Sequence, residues 1–244
     1  MRFAAGTDRG LIRESNEDNY RIIPRSSKNP CVCVIADGMG GHNCGEVASR
    51  MAVDFIGNCV EQDSKSLFLC DDMDNEIRKL VENANKAVFE TSLQNPDASG
   101  MGTTLTMVVI VGERLTVAHV GDSRLYLIRD EMIRQITEDH TYICELIKNG
   151  TLTREEAEFH PRKHVITRAI GSSPDLEIDM LNLEIQEEDI LLLCTDGLTN
   201  MICDDEIYRI AKANEPEAAC KGLIEAAKSK GGEDNITVIV IKCE

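Results

Sequence analysis

Residues 31–42 read CVCVIADGMGGH, an apolar run that ends in an acidic residue and glycines. Two further runs carry an acidic residue at one end: ILLLCTDG at residues 190–197 and DNITVIVI at residues 234–241. Runs this rich in Val, Ile and Leu predict buried strands. A carboxylate at the end of a buried strand needs a partner, because an unpaired buried charge is costly. No basic residue adjoins Asp37, Asp196 or Asp234, so we expect them to face a hard divalent cation.

The remaining apolar patterns predict a layered α+β fold. Further strands are expected near 18–23, 103–111, 114–120 and 124–129, and short turns make the middle of the chain an antiparallel meander. Apolar residues at helical spacing predict one helix after the capping pair Asn43 and Glu46, a second over 77–88 and a third over 216–229. Because strands and helices do not alternate, a doubly wound parallel sheet is not expected.

Size and charge restrict the domain count and the partners. The 244 residues contain no linker-like stretch, so we expect one domain over 1–244. A net charge of −17 argues against nucleic acid or an anionic membrane as the main partner. No apolar run approaches the ~20 residues of a membrane span. The first residues lack the pattern of a secretory signal, which predicts a cytoplasmic protein.

Residues 139–164 differ from the rest of the chain. A short helix is expected to end at Asn149-Gly150, where glycine suits the left-handed position after a helix. Thr153 and Glu156 then form a second capping pair. A polar and basic run, HPRKH at 160–164, follows. We interpret residues 139–164 as a surface flap.

Several single motifs have two readings that the residues alone leave open. Arg13 could hold phosphate oxygens with its forked donors, or it could belong to a solvated, charged turn with Glu17 and Asp18. The Gly38 carbonyl beside Asp37 suits an oxygen-liganded cation, but a Gly-rich turn into a helix would look the same. Asp122 is a further candidate metal ligand at a predicted hairpin, or a turn residue.

The candidate ligands favour one kind of metal. Carboxylate and carbonyl oxygens select Mg²⁺ or Mn²⁺ over zinc or copper. No GxSxG nucleophile motif and no GxxxxGK[ST] phosphate loop competes with the carboxylates for the chemistry.

Eight segments in chain order resemble one known family. They are RESNED at 13–18, DGMGGH at 37–42, GTT at 102–104, HVGDSR at 119–124, DH at 139–140, TRAIG at 167–171, LCTDGL at 193–198 and DNITV at 234–238. Together they resemble the metal-dependent Ser/Thr protein phosphatases of type 2C, the PPM family, and the compact length resembles its bacterial branch. The resemblance implies a four-layer α-β-β-α sandwich with two antiparallel sheets at the centre.

The resemblance also implies roles for the site residues. Asp37 would bridge two Mn²⁺ or Mg²⁺ ions, with the Gly38 carbonyl on one ion and Asp196 and Asp234 on the other. Asp122 resembles the ligand of a weakly held third ion. The remaining roles are phosphate binding for Arg13, and support of the metals and their waters for Glu17, Asp18 and Asn235.

The position after Asp37-Gly38 departs from the wider family. Animal members have a histidine there, a proposed general acid, whereas this chain has Met39, which cannot donate a proton. Protonation of the leaving group would then come from a metal-bound water, with His42 and His164 as the further candidate proton donors.

The implied activity is hydrolysis of phosphoserine or phosphothreonine on proteins, opposing a Ser/Thr kinase. A hydroxide held between two ions would attack phosphorus in line, without a covalent intermediate. We expect a monomer. The alternatives are a phosphatase for small phosphate esters or for a phosphoserine of a sigma-factor pathway, and a phosphatase-fold binding or regulatory module without catalysis. Loss of a metal aspartate would mark the binding module, and none is lost here.

Overall fold

The fold is taken from a computed structural model that describes residues 1–24, 30–40, 44–68, 70, 72–158 and 160–244. The predicted cap residue Asn43 and the candidate proton donor His42 lie outside these residues.

Strands within the described residues form two antiparallel sheets. The strands are β1 (Arg2–Asp8), β2 (Asp18–Ile23), β3 (Cys31–Met39), β4 (Gly102–Thr103), β5 (Leu105–Val111), β6 (Arg114–Val120), β7 (Arg124–Arg129), β8 (Met132–Gln135), β9 (Asp179–Glu184), β10 (Ile190–Cys194) and β11 (Ile236–Lys242). The first sheet has the order β1-β11-β10-β7-β8, and the second has the order β2-β3-β5-β6-β9, with β4 paired to β3.

Helices cover the outer faces of both sheets. They are α1 (Cys44–Phe68), α2 (Met73–Gln94), α3 (Tyr142–Lys148), α4 (Arg154–Glu158), α5 (Asp196–Thr199), α6 (Asp204–Ala213) and α7 (Pro216–Ser229). Helix α1 is interrupted at Asp63, where the backbone is not helical. Helices α1 and α2 pack on the second sheet, and α7 packs on β1 and β11 of the first.

Strand β3 explains why the layers form. Successive side chains of a strand point to opposite faces. Val32, Val34 and Ala36 therefore face the helices, while Cys33 and Ile35 meet the first sheet. Both faces are buried, which accounts for the uninterrupted apolar run in the sequence. The four-layer α-β-β-α architecture is confirmed.

The predicted meander is wrong at one connection. Strands β5 and β6 form the expected hairpin, but β6 then pairs with β9, and β7 pairs with β8 and β10. The chain therefore passes from the second sheet to the first at residues 121–123, which we call the crossover. An alternating apolar pattern reports which residues are buried and does not report which strand lies alongside.

The segment predicted as a flap contains α3 and α4. Its two ends meet in an antiparallel bridge between Thr141 and Ile166. The second capping pair is confirmed: the Thr153 backbone N–H donates to Glu156 Oε2 at 2.9 Å, and the Glu156 N–H donates to Thr153 Oγ1 at 3.3 Å.

Within the described ranges, no helix combines the length and the apolar character that a membrane crossing requires. That the chain is a single domain stays a prediction.

The contact between the two sheets should dominate stability. Leu193 of β10 is 0% exposed between the sheets. We expect Leu193→Ala to lower the free energy of unfolding by about 2–5 kcal/mol, because it leaves a cavity in a packed layer. Chemical denaturation followed by circular dichroism measures this change.

The matched control is Leu93→Ala. Leu93 is 71% exposed at the end of α2, so the same change in side chain should alter the free energy of unfolding by no more than about 0.5 kcal/mol. Equal losses in the two variants would contradict the layered core.

Candidate metal centre

A cleft opens where the ends of both sheets meet. It has a volume of about 710 Å³. The predicted site residues that line it are Arg13, Glu17, Asp37, Gly38, Asp122, His164, Asp196, Asp234 and Asn235. Asp18 is buried beside them, opposite Asp37 in the pairing of β2 with β3. The structure therefore brings together every predicted site residue that it describes.

Asp18 joins the two sheets below the cleft. Its Oδ2 accepts hydrogen bonds from Thr195 Oγ1 at 2.9 Å and from Thr237 Oγ1 at 2.7 Å. Both threonines belong to the first-sheet side, whereas Asp18 begins β2 of the second sheet. Burial raises the pKa of Asp18 to about 7, and nearby Asp196 adds to this shift. This carboxyl therefore holds the two sheets in a fixed relative position at the site.

The backbone of Asp37 is held by two threonines of the neighbouring segment. Its N–H donates to Thr104 Oγ1 at 2.9 Å, and its carbonyl accepts from Thr103 Oγ1 and from the Thr104 N–H, each at 2.8 Å. Burial raises the pKa of the Asp37 carboxyl well above its usual range, and the charges of Asp18 and Asp196 act in the same direction. The Asp37 side chain is thus held close to other carboxylates.

Asp122 lies in the crossover and reaches the same cleft from the other side. Burial raises its pKa to about 8, with a further contribution from Asp196. Among the buried side-chain oxygens and nitrogens of the described residues, Asp122 Oδ1 and Asp18 Oδ1 are the two without a hydrogen-bond partner. A buried carboxylate oxygen without a donor is costly, and a cation in the cleft would remove that cost.

The donor set fits a hydrated hard cation. No three His, Cys, Asp or Glu side chains of the described residues are grouped closely enough to hold an ion by themselves. Mg²⁺ is commonly bound through only one or two carboxylates and keeps several waters. Asp37, Asp196, Asp234 and the Gly38 carbonyl offer this kind of sparse oxygen environment, which would not suit zinc.

Gly38 allows helix α1 to approach the end of β3. A Cβ at Gly38 would lie 2.1 Å from the Gly45 carbonyl oxygen, and a Cβ at Gly45 would lie 2.6 Å from Glu17 Oε2. The first turn of α1, the strand end and Glu17 are therefore in direct contact. Burial raises the pKa of Glu17 above its usual value.

Asn235 anchors the loop that carries Arg13. Its Oδ1 accepts from the Glu17 N–H at 2.8 Å, and its Nδ2 donates to the carbonyls of Arg9 and Ser15 at 3.0 and 2.9 Å. Arg13 Nη2 in turn donates to Asp234 Oδ2 at 2.7 Å. The side-chain hydrogen bonds of Asn235 are thus made to this loop.

Several residues that line the cleft were not identified from the sequence, among them Lys163, Ile166, Asn200, Met201 and Glu233. Asn200 Nδ2 donates to Asp196 Oδ2 at 3.0 Å, a contact that the spacing of four residues along a helix could have suggested. Lys163 at the end of the flap and Ile166 just after it also line the cleft, and no local signal distinguishes them from surface residues.

Of the two candidate histidine proton donors, the structure describes His164. His164 is exposed and lines the cleft. Burial and the charge of Asp234 raise the pKa of Asp196, while Asn200 and the imidazole of His164 act in the opposite direction. His42 lies outside the described residues. Met39 also lines the cleft and offers no proton.

Comparisons with known proteins agree with this architecture. The family model described as Protein phosphatase 2C matches residues 10–223. The serine/threonine phosphatase stp of Listeria innocua is 39% identical over 237 residues, which cover 97% of this chain and 93% of that protein.

Solved structures show the same similarity in three dimensions. Serine/threonine phosphatase Stp1 from Staphylococcus aureus superposes with a TM-score of 0.93 at 32% identity, covering 99% of this chain and 94% of its own. The catalytic domain of the serine/threonine protein phosphatase PstP, solved with two manganese ions, has a TM-score of 0.84 at 36% identity and covers 98% and 96%. By its sequence, its fold and its cleft, this chain belongs to the protein phosphatase 2C family.

Proposed function

We propose that this protein is a Mn²⁺- or Mg²⁺-dependent phosphatase that hydrolyses phosphoserine and phosphothreonine on proteins. The observation that carries the proposal is the convergence of acidic side chains from both sheets on one cleft, with two buried carboxylate oxygens left without a donor. The names of the relatives support the substrate class, and the manganese complex of PstP supports the metal.

Two ions would be held by the strand-end aspartates. Asp37 and the Gly38 carbonyl are the proposed ligands of one, and Asp37, Asp196 and Asp234 of the other; Asp122 is the proposed ligand of a weaker third ion. When bound, the ions supply positive charge for the phosphoryl oxygens and a water of near-neutral pKa. They would also offset the repulsion that raises the pKa values of Asp37 and Asp196.

Arg13 is the proposed phosphate-binding residue. Its guanidinium lies at the cleft rim, and one nitrogen is engaged by Asp234 at 2.7 Å. The other donors of its planar fork are available for phosphate oxygens. Asn235 would keep the loop in place while a phosphate binds, because it holds that loop at three backbone positions.

A direct attack by water is favoured over a covalent intermediate. The described residues that line the cleft include no Ser, Thr or Cys, so no hydroxyl or thiol nucleophile lies there, and the aspartates are assigned to the metal ions. His164 is the described candidate for protonating the departing Ser or Thr oxygen, and it lies on the flap side of the cleft.

The alternatives and the wider setting remain predictions. A phosphatase-fold module without catalysis is not favoured, because each proposed metal aspartate is present and lies at the cleft. Preference for small phosphate esters would appear as a higher kcat/KM for metabolite esters than for phosphopeptides. A partner Ser/Thr kinase, a monomeric state, the absence of nucleic-acid and membrane partners and a cytoplasmic location are predicted from the sequence.

Metal removal tests the proposed chemistry. We expect Mn²⁺-dependent release of phosphate from a phosphothreonine peptide, complete loss with EDTA, and recovery on adding Mn²⁺. Asp37→Asn should lower kcat/KM by more than about a hundredfold, since even outer-shell partners of a metal typically cost 10–100-fold.

Asp205→Asn is the matched control, because Asp205 is exposed on α6 and away from the cleft. It should retain the activity of the unmodified protein. Hydrolysis that persists in EDTA or in Asp37→Asn would refute the metal mechanism.

Arg13→Ala tests phosphate binding separately from metal binding. Losing the guanidinium should raise KM for the phosphopeptide and lower kcat, because charge-assisted hydrogen bonds to phosphate are lost. We expect kcat/KM to fall about 10- to 100-fold, by analogy with the loss of one preorganised donor, while Mn²⁺ affinity measured by calorimetry changes little.

Arg50→Ala provides the comparison, since Arg13 and Arg50 are equally exposed at 53% and each is paired with one carboxylate. Arg50→Ala should leave kcat/KM unchanged. An unchanged KM and kcat in Arg13→Ala would remove Arg13 from the proposed site.

A further inference from the structure

The dipeptide Asp139-His140 has no role in the proposed function, although the sequence analysis singled it out. It begins the flap and lies against the crossover, the three residues 121–123 that include Asp122. His140 is buried. Both ring nitrogens of a buried imidazole need hydrogen-bond partners, and these partners show which groups the residue holds in place.

His140 takes up both backbone groups of Gly121. Its backbone N–H donates to the Gly121 carbonyl at 2.8 Å, and its ring Nδ1 accepts from the Gly121 N–H at 3.1 Å. Because Nδ1 accepts, the ring proton is on Nε2, which lies 3.3 Å from Asp179 Oδ2 and 3.3 Å from Arg168 Nη1. Gly121 has a φ of 107°, and a Cβ added there would lie 2.6 Å from Thr104 Cβ, so few other residues could follow this path.

The other side of the crossover is held by Asp139. Arg124 donates to the Asp139 carboxylate from Nε at 3.0 Å and from Nη2 at 2.7 Å. Gln135 Nε2 adds a third hydrogen bond at 2.8 Å. Asp122 therefore lies between two residues, Gly121 and Arg124, that are both fixed by the same dipeptide.

The crossover is also linked by hydrogen bonds to Asp37, the proposed bridging ligand. Ser123 Oγ lies 2.7 Å from Thr104 Oγ1, and Thr104 Oγ1 accepts the Asp37 N–H at 2.9 Å. A displacement of Gly121 would thus change the position of Asp122 relative to Asp37.

His140 belongs to the flap as well. Its carbonyl accepts from the Thr167 N–H at 2.8 Å, next to the Thr141–Ile166 bridge that closes the flap. One residue therefore connects the base of the flap to the backbone beside Asp122.

We propose that His140 is a positioning residue that acts through Gly121 to fix Asp122 for the loosely held third ion and ties the flap base to that position. This rests on the proposed function, because the third ion belongs to it. Among the described residues, the polar partners of His140 are Gly121, Thr167, Arg168 and Asp179, and none of these is a proposed ligand of the two tight ions. Its effect should therefore be confined to the weak site.

The test compares His140→Ala with His140→Asn. An asparagine Oδ1 can accept the Gly121 N–H near the position of the imidazole Nδ1, whereas alanine cannot. Calorimetric titration with Mn²⁺ counts the ions and gives their affinities. Hydrogen–deuterium exchange of the Gly121 amide, followed by NMR in the metal-free protein, reports the local hydrogen bond without any activity.

Asn85→Ala is the matched control. Asn85 is buried and its Oδ1 accepts the N–H of another positive-φ glycine, Gly171, at 2.7 Å. It does not line the cleft. It should lose protection at Gly171 and keep the Mn²⁺ affinities of the unmodified protein.

In His140→Ala we expect the third-ion affinity to fall about 10- to 100-fold, as for outer-shell partners of a metal, with the two tighter affinities unchanged. Gly121 protection should fall by at least about tenfold, as expected when its hydrogen bond is lost, and His140→Asn should restore most of both properties. Loss of all ions together, an unchanged third-ion affinity, or an asparagine variant that behaves like alanine would overturn the proposal.

The two proposals fail in different ways. A protein that binds two ions and hydrolyses phosphopeptides, but has no third ion, overturns the role of His140 and leaves the proposed function standing. A protein without Mn²⁺-dependent hydrolysis refutes the proposed function itself.

Discussion

The buried carboxyl of Asp18 sets the constraint on which the site depends. It accepts hydrogen bonds from Thr195 and Thr237 and so joins the two sheets where the cleft opens. The same join buries Asp37 and brings Asp196 and Asp234 close enough to add to the cost of ionising it. The geometry is therefore unfavourable for the protein alone and favourable for one that holds cations.

The arrangement of carboxylates that suits cations therefore lowers the stability of the protein when no ion is bound. The apolar layers hold the sheets together, and the crowded carboxylates work against them. Ions that bind only the folded state would add their binding free energy to the stability of the fold. Glycines at Gly38 and Gly45 let the backbone close around the acidic residues without side chains in the way.

Much of the fold could be predicted from the sequence, because β3, β5, β10 and β11 are buried on both faces and appear as continuous apolar runs. Strands β1 and β9 were missed, since they are only partly buried and lack a clear alternation. Helix α6 was missed as well. The crossover was mistaken for a hairpin because a local pattern cannot identify the partner strand.

For the site, the sequence predicted the candidate ligands but not the contacts that hold them in place. The acidic dipeptides at strand ends identified the candidate ligands, and the ordered motifs identified the family. The contacts that organise them were not accessible, because Asp18 meets Thr195 and Thr237 across 177 and 219 residues of chain. Nothing local marks Asn235 as a loop anchor or His140 as a contact of Gly121.

The strand order of the first sheet also bears on when the cleft can form. Strand β1 has β11 as its one neighbour in that sheet, and β11 lies between β1 and β10. Until residues 236–242 leave the ribosome, β1 lacks its partner strand in the sheet. Neither Asp234 nor Asn235 is then in place. Pairing across such separations is intrinsically slow. A chain synthesised only as far as β10 therefore lacks the assembled cleft, because Asp234 and Asn235 arrive with β11.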